Sequence, residues 1–247
     1  MEHALTPARF PISFADGNVA LGVRADPDTD LPRALRSMGL TTGVPTIVAV
    51  GAGSRPGELA RLGPLLEKVV VAVAEVVEAT VVDEGDPAGL GAALGQARLR
   101  RKAGFPLLGV ASDRAAPADL DPAHTHFVLV PADDVSTIAS WTAAVAAAVS
   151  GGNRSVALAA AGGEAAWDAL AAHVRTGRLV MAVARTGGVA DHLAAAVAGR
   201  PADNRALALA GSGQVFAVDP AKGAAHVADT LRSALSRPDA LGAGPAR

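Results

Sequence analysis

Thr46-Ile47-Val48-Ala49-Val50-Gly51-Ala52-Gly53-Ser54 is an unbroken apolar run that stops at a glycine-bearing loop. Pro56 follows where the first turn of a helix would begin, a position that suits proline. A strand without polar alternation is buried on both faces, the habit of parallel sheets covered by helices. The order recurs downstream. Residues 80–82 lead into Asp83-Glu84-Gly85, after which Asp86 and Pro87 read as the cap and first position of a helix reaching Lys102. Apolar runs at 107–111, 127–130, 155–160 and 179–183 are further strands, with helices over 56–77, 135–149 and from Thr186-Gly187-Gly188 to Val197. Gly63-Pro64 marks a break in the first of these helices.

The ends read differently. Phe10, Ile12 and Phe14 alternate with smaller residues, a turn falls at 16–18, and Val19, Leu21 and Val23 alternate back, which describes a hairpin. A short helix over 31–38 follows. Near the other end, Leu207 and Leu209 lead to Gly211-Ser212-Gly213 and Val215 and Val218 return, read as a second hairpin, before Asp219-Pro220 caps a last helix. The expectation is a Rossmann-like three-layer α/β/α fold: a mostly parallel sheet with short antiparallel hairpins at both ends, free to pair as one flank. No linker divides it, so residues 1–237 form a single domain with 1–40 as an N-terminal extension, and 238–247 a flexible tail.

Composition narrows the function. Half of the 247 residues are hydrophobic and 19% charged, so a large core forms. Aromatics are 3% with no Tyr, which leaves little for stacking bases, and a net charge of -2 offers no pull on polyanions; nucleic acid is not expected as a partner. No window supplies about 20 uncharged apolar residues, so no membrane span is expected. The absence of Cys rules out disulfides and thiolate chemistry. The first nine residues lack an apolar signal core, so the expected location is the cytoplasm.

Four strands end in small-residue loops that open helices: Gly51 to Ser54, Asp83 to Gly89, Gly162-Gly163, and Thr186-Gly187-Gly188. Glycine lets backbone N–H groups approach a ligand, and a helix N-terminus adds donors and partial positive charge, a cradle suited to phosphate. The same loops are also explained by tight turns alone. Arg55 can reach a phosphate bidentately or be an exposed residue at a helix start. Asp83 can accept from a ribose hydroxyl or bond its own loop. His124 and His126, two apart in a strand, share a face, but a metal needs a third ligand, and only Asp119, Asp121 and Asp133 are near in sequence; a structural or pocket-lining role is preferred and no metal is expected. Asp191 and His192 read as a helix cap and a surface residue. No Gly-x-Ser-x-Gly elbow, Walker loop or Ser-His-Asp set is present, so no catalytic residue is assigned.

The order of these motifs resembles the prokaryotic branch of the SLOG domains related to TRPM channels, a group that includes the Lonely-guy and DprA-type Rossmann-like folds. The residues that carry the likeness are Val81 to Gly89, similar to an Asp-Gly-Gly-Thr-x-x-Gly loop, then Phe105 to Val110, then His124-Thr125-His126-Phe127-Val128-Leu129-Val130, and finally Gly162-Gly163 and Thr186 to Asp191. The resemblance implies a nucleotide-derived ligand such as an ADP-ribose or NAD relative, sensing rather than turnover, no required cofactor, and a homodimer or other homo-oligomer. The implied ligand-binding residues are Gly51, Gly53, Ser54, Arg55, Asp83, Gly85, Gly89, His124, Gly162, Gly163, Thr186, Gly187, Gly188 and Asp191. The chain departs from the pattern: Glu84 and Asp86 replace a Gly and a Thr, Ala161 an Asn, Arg185 a Gly and Gly188 an Arg. Carboxylates repel phosphate, and a lost Arg removes a charge-assisted partner. Two alternatives stand beside the binding domain. One is a Lonely-guy-like nucleotide phosphoribohydrolase, whose Gly-Gly-x-Gly-Thr-x-x-Glu motif is answered here by Gly162-Gly163-Glu164 to Ala169, without the Gly-Thr pair or the Glu. The other is a non-binding scaffold whose Ala-rich helices pack against another copy.

Overall fold

The computed structural model describes residues 7–236 except 52, 53, 133, 153 and 154. Gly53, Asp133 and the tail expected at 238–247 therefore lie outside the described residues.

The apolar runs form a nine-stranded sheet. In chain order the strands are β1 Arg9–Ser13, β2 Val19–Arg24, β3 Thr46–Val50, β4 Thr80–Asp83, β5 Leu107–Ser112, β6 His126–Val130, β7 Ser155–Ala159, β8 Leu179–Val183 and β9 Val215–Val218. Their spatial order is β1-β2-β6-β5-β4-β3-β7-β8-β9. Only β1 and β2 pair antiparallel; every other ladder is parallel. The chain steps from β3 outward to β6, then returns to β7 on the other side of β3. That reversal puts a switch point between β3 and β7, where open α/β sheets bind ligands.

Alternate residues of each strand feed two cores. Val48, Val82, Leu108, Val128, Ala157 and Val180 pack with helices on one face, and Ile47, Val81, Leu107, Val156, Leu158 and Met181 with helices on the other. Both sides are dry, which is why the strands read as continuous apolar runs. On the first face lie α1 Leu31–Ser37, α5 Val135–Ser150, α6 Ala165–Arg175, α7 Gly188–Val197 and α8 Asn204–Gly211. On the second lie α2 Pro56–Leu65, α3 Val71–Val76, α4 Leu90–Arg101 and α9 Ala224–Leu235. Pro64 does not break the first long helix. Residues Leu66–Val70 form a π-helical turn joining α2 to α3.

Three features differ from the sequence expectation. The second hairpin does not exist: Leu207 and Leu209 lie in α8, capped by Asp203, and β9 joins β8 in parallel. The N-terminal hairpin does form, but on the opposite edge, so the two ends do not pair. The helix expected from Pro87 begins three residues later, at Leu90 with Gly89 as its cap. Asp86 instead accepts from the Ala88 N–H at 2.7 Å, turning the loop locally.

Candidate functional site

Parallel pairing sets the four glycine loops side by side, since β4, β3, β7 and β8 are neighbours in the sheet. At the switch point the backbones close up. A Cβ on Gly51 would stand 2.8 Å from Ala160 O and 2.6 Å from Leu90 Cβ, so only glycine fits. Ser54 bridges the two loops, donating to Gly51 O at 2.6 Å and accepting from the Gly162 N–H at 2.9 Å. Arg55 is exposed at the start of α2, and its own N–H is held by Glu58 at 2.9 Å.

The loop after β8 is a clasp. Asp191 accepts from the N–H groups of Thr186 and Gly187 at 3.2 and 3.1 Å. The Thr186 hydroxyl donates to Val183 O and accepts from Ala161 N–H at 2.9 Å. The amides of Val189 and Ala190 donate to Gly162 O and Ala161 O. The Thr186 and Gly187 amides are thus spent on Asp191, and those of Val189 and Ala190 on the neighbouring loop, so Thr186, Gly187 and Asp191 tie the two loops together. Gly188 has φ +54° and a Cβ there would meet Gly162 O at 2.1 Å. That contact explains why no arginine stands at this position.

Beneath the β4 loop lies a buried charge cluster. His124 Nε2 is 2.7 Å from Asp83 Oδ1, which also accepts from the Gly85 N–H at 2.7 Å. His124 Nδ1 lies 2.9 Å from Asp121 Oδ2, but hydrogen-bond geometry is met by Asp121 O at 3.2 Å, so Asp121 Oδ2 is an ionic neighbour without a hydrogen bond. Burial pushes the imidazole pKa down, yet the two carboxylates outweigh it and hold it up at about 10. His124 is 3% exposed and its ring lies 5.2 Å from Phe127. Both of its ring nitrogens are engaged within the cluster beneath the loop. His126 opens β6 while His124 precedes it, and His126 bonds Thr125, so the two do not share a face. Among the described residues no group of three His, Cys, Asp or Glu is placed to hold a metal.

Asp83 leaves one oxygen, Oδ2, buried and without a partner. It rests against Gly91, where a Cβ would stand 1.7 Å away. Sequence reading passed over Gly91, because Leu90-Gly91-Ala92 carries no motif and its neighbour is eight residues back. Asp83, Gly91, Gly51, Glu84, Gly85, Asp86 and Ala88 line a small hollow of about 20 Å³, room for one water. Glu84 and Asp86 also border a larger hollow of about 380 Å³ over the ends of β5 and β6, floored by Ala111, Leu120, Ala132 and Ile138 and rimmed by Asp119 and Asp134. Burial, then Asp83 and Asp86, raise the Glu84 pKa to about 7. The carboxylates expected to disfavour phosphate thus sit between the loops, and the β4 loop is acidic. Gly85 and Gly89 carry it by conformation, with φ +66° and +101°. Gly163 and the start of α6 remain beside the switch point, where exposed Glu164 is ion-paired with Arg205.

A mostly parallel sheet with its glycine loops gathered at a strand-order reversal defines a Rossmann-like three-layer α/β/α fold. The profile of the family described as "SLOG in TRPM, prokaryote" matches residues 44–229, most of the chain, and the protein belongs to that family. A solved structure titled the X-ray structure of TM1055, a structural-genomics target, superposes with a TM-score of 0.53 at 17% identity, covering 76% of this chain and 99% of that one. The likeness is one of fold. No curated protein matches the sequence. Among the described residues no helix is long and apolar enough to cross a membrane.

Proposed function

We propose that this SLOG domain is a non-catalytic binding domain for a nucleotide-derived ligand of the ADP-ribose or NAD kind. The observation that carries the reading is the close approach of the β3 and β7 loops at the strand-order reversal, with glycine at Gly51 and Gly162 where a side chain would strike Leu90 and Ala160 O, or Ala166, and push the loops apart. The ligand's phosphates lie toward Gly163, the first turn of α6 and the Arg55 guanidinium, away from Glu84 and Asp86. Ser54, Thr186, Gly187 and Asp191 hold those loops in place. Binding without turnover is favoured because Glu164, the cap of α6, is engaged by Arg205, and Asp168 in its first turn lies exposed.

Titration with ADP-ribose, NAD and AMP, followed by thermal unfolding, tests this. A tenfold excess over Kd raises the melting temperature by roughly 3–6 °C, and Arg55→Ala reduces the gain for the phosphorylated ligands. No shift with any of the three at millimolar concentration defeats the reading.

A further inference from the structure

The two hollows bordered by Glu84 and Asp86 make a site of a different character. Neither lining contains a Lys, Arg or His. The larger hollow, about 380 Å³, falls within the size range of small-molecule pockets and has an apolar floor. The smaller, about 20 Å³, accepts one compact group. Its floor includes Asp83, a side chain 4% exposed whose Oδ1 is consumed by His124 and Gly85 while Oδ2 has no partner. An unsatisfied buried carboxylate oxygen is costly, and a donor that reaches it recovers that cost.

We propose that the paired hollows bind a primary amine. Its ammonium enters the small hollow against Asp83 Oδ2 and Glu84, and its apolar substituent lies over Ala111, Leu120 and Ile138. An ammonium is about the size of a water and brings three donors and a full positive charge. The acids around it are Asp83, Glu84 and Asp86, with Asp119 and Asp134 across the larger hollow. His124 sits between Asp83 and Asp121 and neutralises only one of that pair. Glycine at 91 is what leaves Oδ2 in place, since any Cβ there would occupy the same space. This ligand class differs from that of the nucleotide reading, although Gly51 of the β3 loop borders both the small hollow and the β3–β7 closure.

Glu84 adds a signature. It holds its proton up to about pH 7 with the site empty. An ammonium beside it favours the ionised form, so binding near pH 6.5 releases a proton, and affinity rises from pH 6 to pH 8.

Calorimetric titration of the intact chain with hexylamine, 1-hexanol and adenosine decides the matter. The expected result is hexylamine at least about tenfold tighter than hexanol, with a heat that varies with buffer ionisation enthalpy near pH 6.5. Glu84→Gln, which removes charge while keeping shape, weakens hexylamine by about tenfold and abolishes the proton release. Gly91→Ala weakens it at least as much; circular dichroism checks that this variant is folded, and Glu84→Gln carries the test alone if it is not. Equal affinity for hexanol and hexylamine, tighter binding of adenosine, or no hexylamine binding at millimolar concentration each overturns the proposal. ADP-ribose titrated into Glu84→Gln reports separately on the nucleotide site, so the two readings fail by different measurements.

Discussion

On the β7–β8 side of the sheet edge, polar groups at the strand ends answer one another. Asp191 takes two amides, Thr186 joins two loops through its hydroxyl, and Gly162 and Ala161 carbonyls receive the first amides of α7. On the β4–β6 side the accounts stay open. Asp83 and Asp121 each keep a buried oxygen without a hydrogen bond, and Glu84 stands between two hollows. Both sides show the same signature in sequence, a glycine loop entering a helix. What separates them is whether a carboxylate on the following helix reaches back to the loop amides, as Asp191 does, or a carboxylate on the strand is drawn downward by a histidine, as Asp83 is. The first arrangement makes scaffold and the second leaves acceptors for something else.

The sharpest way to break this comparison is to remove the cation from the open side. His124→Ala leaves Asp83 and Asp121 facing each other in a dry interior, a loss of about 3–5 kcal/mol of stability. Urea unfolding measures it. A loss under about 1 kcal/mol would mean that water already reaches the cluster. The closed side is next. Gly188→Ala forces a side chain into a left-handed backbone and against Gly162 O, at about 3 kcal/mol. The effect on the clasp is steric, so it persists at every pH and salt concentration, whereas that of His124→Ala shrinks as pH rises toward 10.

Much of the scaffold was legible. Thr46–Val50 and Leu179–Val183 match their expected bounds residue for residue, because a strand covered on both faces has no reason to admit a polar residue. Short-range chemistry misled where one signal serves two structures. Asp86-Pro87 looks like a helix cap, and an Asp that bonds an amide two residues on uses the same oxygen for a turn. Leu207 and Leu209 alternate like a strand, but two residues are too few to separate a period of 2 from 3.6. At the site, the loops were visible and the fate of their amides was not. Asp83 and His124 are 41 positions apart and Ser54 and Gly162 108, so only the fold brings them together. The departures at Glu84 and Asp86 were the useful local signal, since both border the hollows.

The smallest effect is a slope. Glu84 has a folded pKa of about 7 against 4.5 unfolded, so the native state holds the extra proton between those values and stability falls as pH rises through that window. His124, raised from 6.5 to about 10, acts in the same sense: its contribution is complete below 6.5 and is lost as pH climbs through 10. Glu84 and His124 thus give two overlapping declining stages from pH 4.5 upward, opposed below pH 6.5 by His126 and His173, whose pKa values burial holds down. Glu84→Gln removes the first stage only. It is neutral near pH 4.5 and stabilises by on the order of 2 kcal/mol at pH 8, where the wild-type chain carries an ionised, half-covered carboxylate beside Asp83. The second stage persists in the variant, because the cation between Asp83 and Asp121 is untouched. A difference in midpoint between wild type and Glu84→Gln that stays level from pH 5 to pH 8 would show Glu84 ionising as it does in water, and the contrast between the two sides of the sheet edge would then rest on Asp83 and Asp121 alone.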